Sequence, residues 1–132
     1  MIELEELQVQ MEHAYNRLSE STWKYRAQAM VVKGAEREYE RQKLLLYAEG
    51  KIVGKNQTER DACEQQLLEE VIVSLNNLRD EEADLYMKLE LNRIRVEHLR
   101  ATLRIAELVY GQGVENEDNP KRKNENDMGV LE

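Results

Sequence analysis

Residues 44–70 read LLLYAEGKIVGKNQTERDACEQQLLEE, and the fold is decided by what the middle of this stretch does. On either side the chain is charged and marked by leucines. Between, Gly50 and Gly54 bracket an isolated Ile52-Val53 pair and are followed by Lys55-Asn56. A Walker-type phosphate loop requires four residues between its glycines, then Lys and a hydroxyl residue, after a strand. Here three residues intervene, Asn56 stands in place of the hydroxyl, and no strand pattern precedes. The preferred reading is a corner. Gly50 suits the left-handed residue that ends a helix. Asn56 suits an N-cap, with Glu59 three residues on completing a capping-box-like pair. The resulting loop, 50–55, has the length usual between antiparallel helices. Ile52 and Val53 are expected to cover the end of the bundle.

Working outward from the corner, the second half carries an unbroken 3-4 ladder: Leu68, Val71, Leu75, Leu78, Glu82, Leu85, Leu89, Asn92, Val96, Leu99, Leu103, Ala106, Tyr110. Only Glu82 and Asn92 interrupt its apolar character, which is the pattern of a coiled-coil seam. The first half carries a weaker ladder: Leu4, Leu7, Met11, Ala14, Leu18, Ser21, Tyr25, Gln28, Val32, Ala35, Tyr39, Gln42, Leu46. These predict helix 1 over about 2–49 and helix 2 over about 57–110. Ser21, within the SEST of 19–22, could cap a restarted helix, and Gly34 costs about 1 kcal/mol in a helix interior. One kinked helix or two abutting ones are both allowed.

Charge sets the pairing direction. Residues 1–20 carry −4, 24–43 carry +3, 59–84 carry −7 and 88–107 carry +2. Folded back across the corner, blocks of opposite sign face each other; laid parallel, like faces like. Single exposed pairs contribute only about 0.2–1 kcal/mol, but a mismatch of whole blocks selects orientation. A turn centred near residue 53 would set Glu82 beside Lys24 and Tyr25.

A lone hairpin buries little core. A second, offset ladder runs along helix 2 through Met87, Leu91, Ile94, His98, Ala101, Ile105 and Leu108. A helix apolar on two sides requires two neighbours. The expected fold is therefore all-α: an antiparallel two-helix hairpin (a coiled coil) over 1–110, completed to a four-helix bundle by dimerisation. The alternative is that this second seam docks another protein. From 111 to 132 the chain turns polar and holds its only Pro, which reads as a flexible tail.

Over 132 residues the net charge is −8, which argues against coating nucleic acid or anionic membrane through overall electrostatics. The acidic N-terminal stretch shows no secretory-signal pattern, and no apolar run reaches membrane-spanning length. The single cysteine, Cys63, cannot close an internal disulfide, which fits a cytoplasmic protein. His13, His98 and Cys63 are too few and too scattered for a metal site, so no metal or cofactor is expected. His98 reads as a structural, partly buried residue. Acid pairs such as Glu69-Glu70 would need a cleft that separates their pKa values before they could act as acid and base. A narrow hairpin offers none, and a non-enzyme is expected.

Two charged features remain as interaction candidates. Asp80, Glu81, Glu82 and Asp84, in the acidic belt, could imitate nucleic-acid phosphates towards a protein partner. Arg93, Arg100 and Arg104 could contact phosphates directly, helped by Lys121, Arg122 and Lys123 as a mobile arm. The antiparallel model sets Glu3, Glu5, Glu6 and Glu12 opposite those arginines, so internal neutralisation is preferred over phosphate binding.

AEGKIVGKNQTERDA and RVEHLRATLRIAEL lie within a charged helix, a Gly-containing corner, a Lys-Asn-x-x-x-Arg start and a Leu/Arg-rich second helix. Over roughly 36–108 this order resembles small helical proteins encoded by tailed phages and prophages. The resemblance transfers no functional residues. It implies an accessory protein acting through contacts with host or DNA-handling machinery. The expected function is thus a dimeric interaction module or inhibitor whose partner surfaces are the acidic belt and the Met87, Leu91, Ile94, Ile105 and Leu108 seam. A nucleic-acid-binding recombination accessory and a structural virion spacer are the alternatives.

Overall fold

The computed structural model describes residues 3–118, with side chains described as far as Gly111. The chain is all-helical: α1 spans Leu4–Ala48, α2 Gln57–Leu67 and α3 Glu69–Asp118, with no strand among the described residues. Both ladders are the inner faces of these helices. Every position from Leu4 to Leu46 in the first, and from Leu68 to Ala106 in the second, is buried or half-buried; only Tyr110 is exposed. Each fully buried Leu, Val or Met contributes about 1.5–3 kcal/mol.

Contacts divide the chain into two compact units. The first joins the residues up to Leu18 with those from Asn92 onward. There the start of α1 runs antiparallel to α3, and Met11, Ala14 and Val96 form a core against which Leu18 and Leu99 pack. The second unit is Ser19–Leu91. Its partners run in opposite senses along the chain. The Tyr25 ring meets that of Tyr86 at 5.5 Å between centroids, the Gln28 amide donates to the Leu78 carbonyl at 3.0 Å, and Tyr39 reaches Glu64.

The corner is built as its residues require. Gly50 has φ of 70°. Its N–H donates to the Tyr47 carbonyl at 3.1 Å and that of Lys51 to the Leu46 carbonyl at 3.0 Å, the paired bonds of a Schellman C-cap. Asn56 Oδ1 accepts from the Glu59 N–H at 2.9 Å. The Glu59 carboxylate accepts from the Lys55 N–H at 2.6 Å, one residue ahead of the usual capping box. Gly54 is required by a close approach: a Cβ there would lie 2.7 Å from the Arg60 nitrogen and 2.8 Å from Glu59 Cβ. Ile52 is buried as expected, but Val53 faces solvent.

Three expectations are corrected and one open choice is resolved. First, helix 2 is not continuous. It breaks at Leu68 (φ −104°, ψ 14°), which still donates its N–H to the Glu64 carbonyl at 2.9 Å. Second, the choice left open for the first half resolves to one helix, since α1 runs unbroken through 19–22 and Gly34. Third, α3 runs past 110 through Gly111 and Gly113 to Asp118. Extending an existing helix fixes one residue at a time, so isolated glycines do not stop it. The remainder of the expected tail lies outside the described residues. Fourth, the Tyr25 ring meets the Tyr86 ring at a tilt of 58°, one helical turn beyond the expected Glu82. Lys24 pairs within its own helix, with Glu20 at 2.9 Å.

Candidate functional site

The second ladder of α3 is present and uncovered. Met87 and Leu91 in the second unit, and Ile94, Ile105 and Leu108 in the first, are each 59–63% exposed. Ala101 and His98 in the same ladder are exposed too. His98 is therefore not the partly buried residue expected. No helix among the described residues covers the large apolar side chains of this ladder.

The acidic belt presents fewer carboxylates than its sequence suggests. Asp80, Glu81 and Asp84 are exposed, but Glu82 sits half-buried on the inner ladder, and Glu81 accepts a hydrogen bond from the Gln28 amide at 3.3 Å. Helical geometry puts four consecutive turns of chain, not four neighbours, on one face. Only Asp80 and Asp84 are therefore aimed outward together.

Of the three arginines, Arg100 is engaged. Its guanidinium donates to the Tyr15 hydroxyl at 2.5 Å and lies 5.7 Å from the centre of that ring. This contact holds the Arg100 pKa above its ordinary value. Tyr15 thus takes the role expected of the N-terminal glutamates. Arg93 and Arg104 are exposed, and Lys121, Arg122 and Lys123 lie outside the described residues.

The antiparallel pairing of the first unit also gathers residues that the sequence keeps far apart. His13 and Arg17 from α1, with Arg95 and His98 from α3, line one groove of about 480 Å³ together with Gln10 and Thr102. Two histidines from opposite ends of the sequence thus share a surface, which spacing within either helix cannot reveal. No group of three or more metal-ligating side chains occurs among the described residues. The polar side chains that line the groove can donate hydrogen bonds, and none is a carboxylate.

Near the corner, Glu64 is the only buried charged residue among those described, at 9% exposure. Tyr39 donates to it at 3.1 Å and the Lys43 ammonium stands 3.7 Å away. Burial, then the bond to Glu64, pushes the Tyr39 phenol above its ordinary pKa. The Glu64 charge raises Lys43. This cluster fixes the α1–α2 contact, and Tyr39 and Glu64 also line an open groove of about 350 Å³ with Glu36, Glu40 and Arg79. The Cys63 thiol donates to the Lys51 carbonyl at 3.6 Å, which ties α2 to the corner.

The outer face of α1 went unread in the sequence beyond its block charge. Trp23 is 72% exposed and Met30 75%, and Arg26, Lys33 and Arg37 are exposed beside them. The signal was the spacing 23, 26, 30, 33, 37, a 3-4 ladder out of phase with the buried one.

The fold and these surfaces define an all-helical chain with antiparallel packing and two uncovered helix faces. Compared with protein-family models, curated proteins and solved structures, the chain has no significant match.

Proposed function

We propose that the protein is a non-enzymatic interaction module whose working surface is the outer ladder of α3. One observation carries this: five large apolar residues in coiled-coil spacing stand in water on a helix whose other side is already packed. Leaving them exposed forgoes roughly 25 cal/mol for each Å² that a partner would cover. A 4-3 spacing is complementary to another helix. The helix always present at equal concentration is α3 of a second copy. A two-fold axis at His98 would set Ile94 of one copy against Ala101 of the other, Leu91 against Ile105 and Met87 against Leu108. That self-complementarity is what an isologous dimer requires, and it would make four helices of two hairpins.

The resemblance to small helical phage proteins supports a host or DNA-handling protein as the eventual target, with Asp80 and Asp84 at its edge. The test is mass in solution against concentration, by sedimentation equilibrium, for the full chain and for the Ile94→Ser/Ile105→Ser variant. The dimer should dissociate in the variant while helicity persists. A wild-type chain that stays monomeric at high concentration would end the dimer reading.

A further inference from the structure

We infer that the outer face of α1 in the Ser19–Leu91 unit is a binding surface for single-stranded nucleic acid, distinct from the α3 ladder. Trp23, Arg26, Met30, Lys33 and Arg37 recur at three and four residues, so they share one stripe of an unbroken helix. The inner side of the same helix is occupied by Tyr25 on Tyr86 and by Gln28 on the Leu78 carbonyl. The outer stripe is consequently left to solvent. Trp23 is 72% exposed, although Trp is the residue with the most to gain from burial. An indole held in water on a rigid helix is a ready stacking platform.

The cations beside it are available. Lys24 and Arg41 are tied to Glu20 and Glu38 on their own helix, but Arg26, Lys33 and Arg37 have no ion pair among the described residues. No carboxylate lies within the stripe between Trp23 and Arg37, although Glu20 and Glu40 adjoin its two ends. Successive turns of a helix are about 5.4 Å apart, so the three charges form a row along the axis rather than a knot. Ala27 and Gly34 fall on the Trp23 flank by the same spacing. A Cβ added at Gly34 would meet nothing within 4 Å, so the surface beside Lys33 and Arg37 is open.

This arrangement selects among ligands. A helix lying on a membrane separates a wide apolar face from a cationic one. Here aromatic, cation, thioether and cation alternate within one stripe, so inserting Trp23 and Met30 into lipid would drag Arg26 and Arg37 with them. A nucleic-acid strand alternates in the same way, with bases that stack on an aromatic ring and phosphates that pair with cations. Single strands fit better than duplex, because stacked and paired bases present no free π-face to a side chain. The chain's net charge of −8 opposes the approach of any polyanion, so the contact is short-ranged and strongest at low salt.

Trp23 is the only tryptophan in the chain, so its emission reports the site directly. Titrating the full-length protein with an unstructured oligothymidylate at low salt should quench that emission as bases stack on the indole. Three phosphate contacts should give a slope of about −2 for log K against log [salt], since single strands contribute about 0.7 per contact. Gln at Arg26, Lys33 or Arg37 should each reduce the slope by about 0.7. Anisotropy of a labelled oligonucleotide should show weaker binding for Trp23→Ala, while Arg93→Gln/Arg100→Gln/Arg104→Gln should bind as the parent does. These α1 positions are exposed, so circular dichroism should be unchanged. Unaltered Trp23 emission at low salt would overturn the inference. So would an R26Q/K33Q/R37Q variant that binds as tightly as the parent, or emission that responds to anionic vesicles and not to the oligonucleotide.

Discussion

The Tyr39 hydroxyl donates to the Glu64 carboxylate at 3.1 Å, joining α1 to α2 through the only buried charged residue among those described. A carboxylate taken out of water is tolerated when it is hydrogen-bonded and paired, and here Tyr39 supplies the bond and the Lys43 ammonium, 3.7 Å away, the opposite charge. Glu64→Ala removes the acceptor that both groups share and is expected to cost about 1–3 kcal/mol. Tyr39→Phe should cost less because Lys43 remains. Urea unfolding of the two single variants and the double would give the coupling energy, and a coupling near zero would show that the bond carries no weight.

The same cluster sets an alkaline limit. The Tyr39 and Lys43 pKa values are raised in the folded chain, so the folded state holds these protons more tightly than the unfolded state. Their stabilising contribution is complete below the ordinary values near pH 10 and is lost as pH rises through the higher folded values. Stability should therefore decline above about pH 10, less steeply in Tyr39→Phe. Glu38 works in the opposite sense. Bonds from Arg41 and then Gln42 lower it to about 2, so its contribution is complete above the ordinary carboxylate range and fades as pH falls towards that value. It is an exposed group, and the acid effect should be correspondingly small. Equilibrium unfolding across pH, with tyrosinate absorbance as a second readout, checks both limbs.

Three glycines should respond to alanine with different signs. Gly34 stands inside α1 with open space around it, so Gly34→Ala should stabilise by about 0.5–1 kcal/mol. Gly50→Ala forces a side chain into a left-handed φ and should destabilise by about 1 kcal/mol. Gly54→Ala presses a methyl against the backbone of Arg60 and should shift the start of α2, the most damaging of the three. Thermal melts rank them, and a stabilising Gly54→Ala would contradict the close approach seen here.

Inner and outer positions of α3 should separate cleanly. Leu75→Ala, in the buried ladder, is expected to cost about 2–5 kcal/mol. Ile105→Ala, on the exposed ladder, should leave the isolated chain's stability within about 0.5 kcal/mol and act only through association. Chemical denaturation at two protein concentrations distinguishes these effects, because only a linked dimer makes the midpoint concentration-dependent.

What the sequence disclosed follows the range of the physics involved. The ladders are periodic, and each step from Leu68 to Ala106 or from Leu4 to Leu46 could be read without knowing the partner. Gly50 and Asn56 act through bonds to residues within five positions, so the corner was legible as well. The break at Leu68 was not, because neither Gly nor Pro marks it. Glu64, one turn ahead of it, is held by Tyr39 and Lys43 from α1, far away in sequence. Register was legible only in part: Gln28 meets Leu78, as a turn centred near residue 53 requires, but Tyr25 meets Tyr86 one turn beyond Glu82. The His13–His98 groove exists only after antiparallel pairing. The Trp23 stripe was present in the sequence, hidden because charge was counted by blocks rather than by helical phase.

The methionines supply a native footprinting scale. Met30 at 75% and Met87 at 61% exposure stand on the two uncovered faces, whereas Met11 at 8% is closed off in the core of the first unit. Peroxide converts accessible thioethers to sulfoxides. In the free chain Met30 and Met87 should oxidise far ahead of Met11, each at a rate that depends on whether its own face is occupied. Self-association through α3 would slow Met87 alone, and an oligonucleotide on α1 would slow Met30 alone. One peptide map would thus read both surfaces in a single reaction, with Met11 as the internal clock.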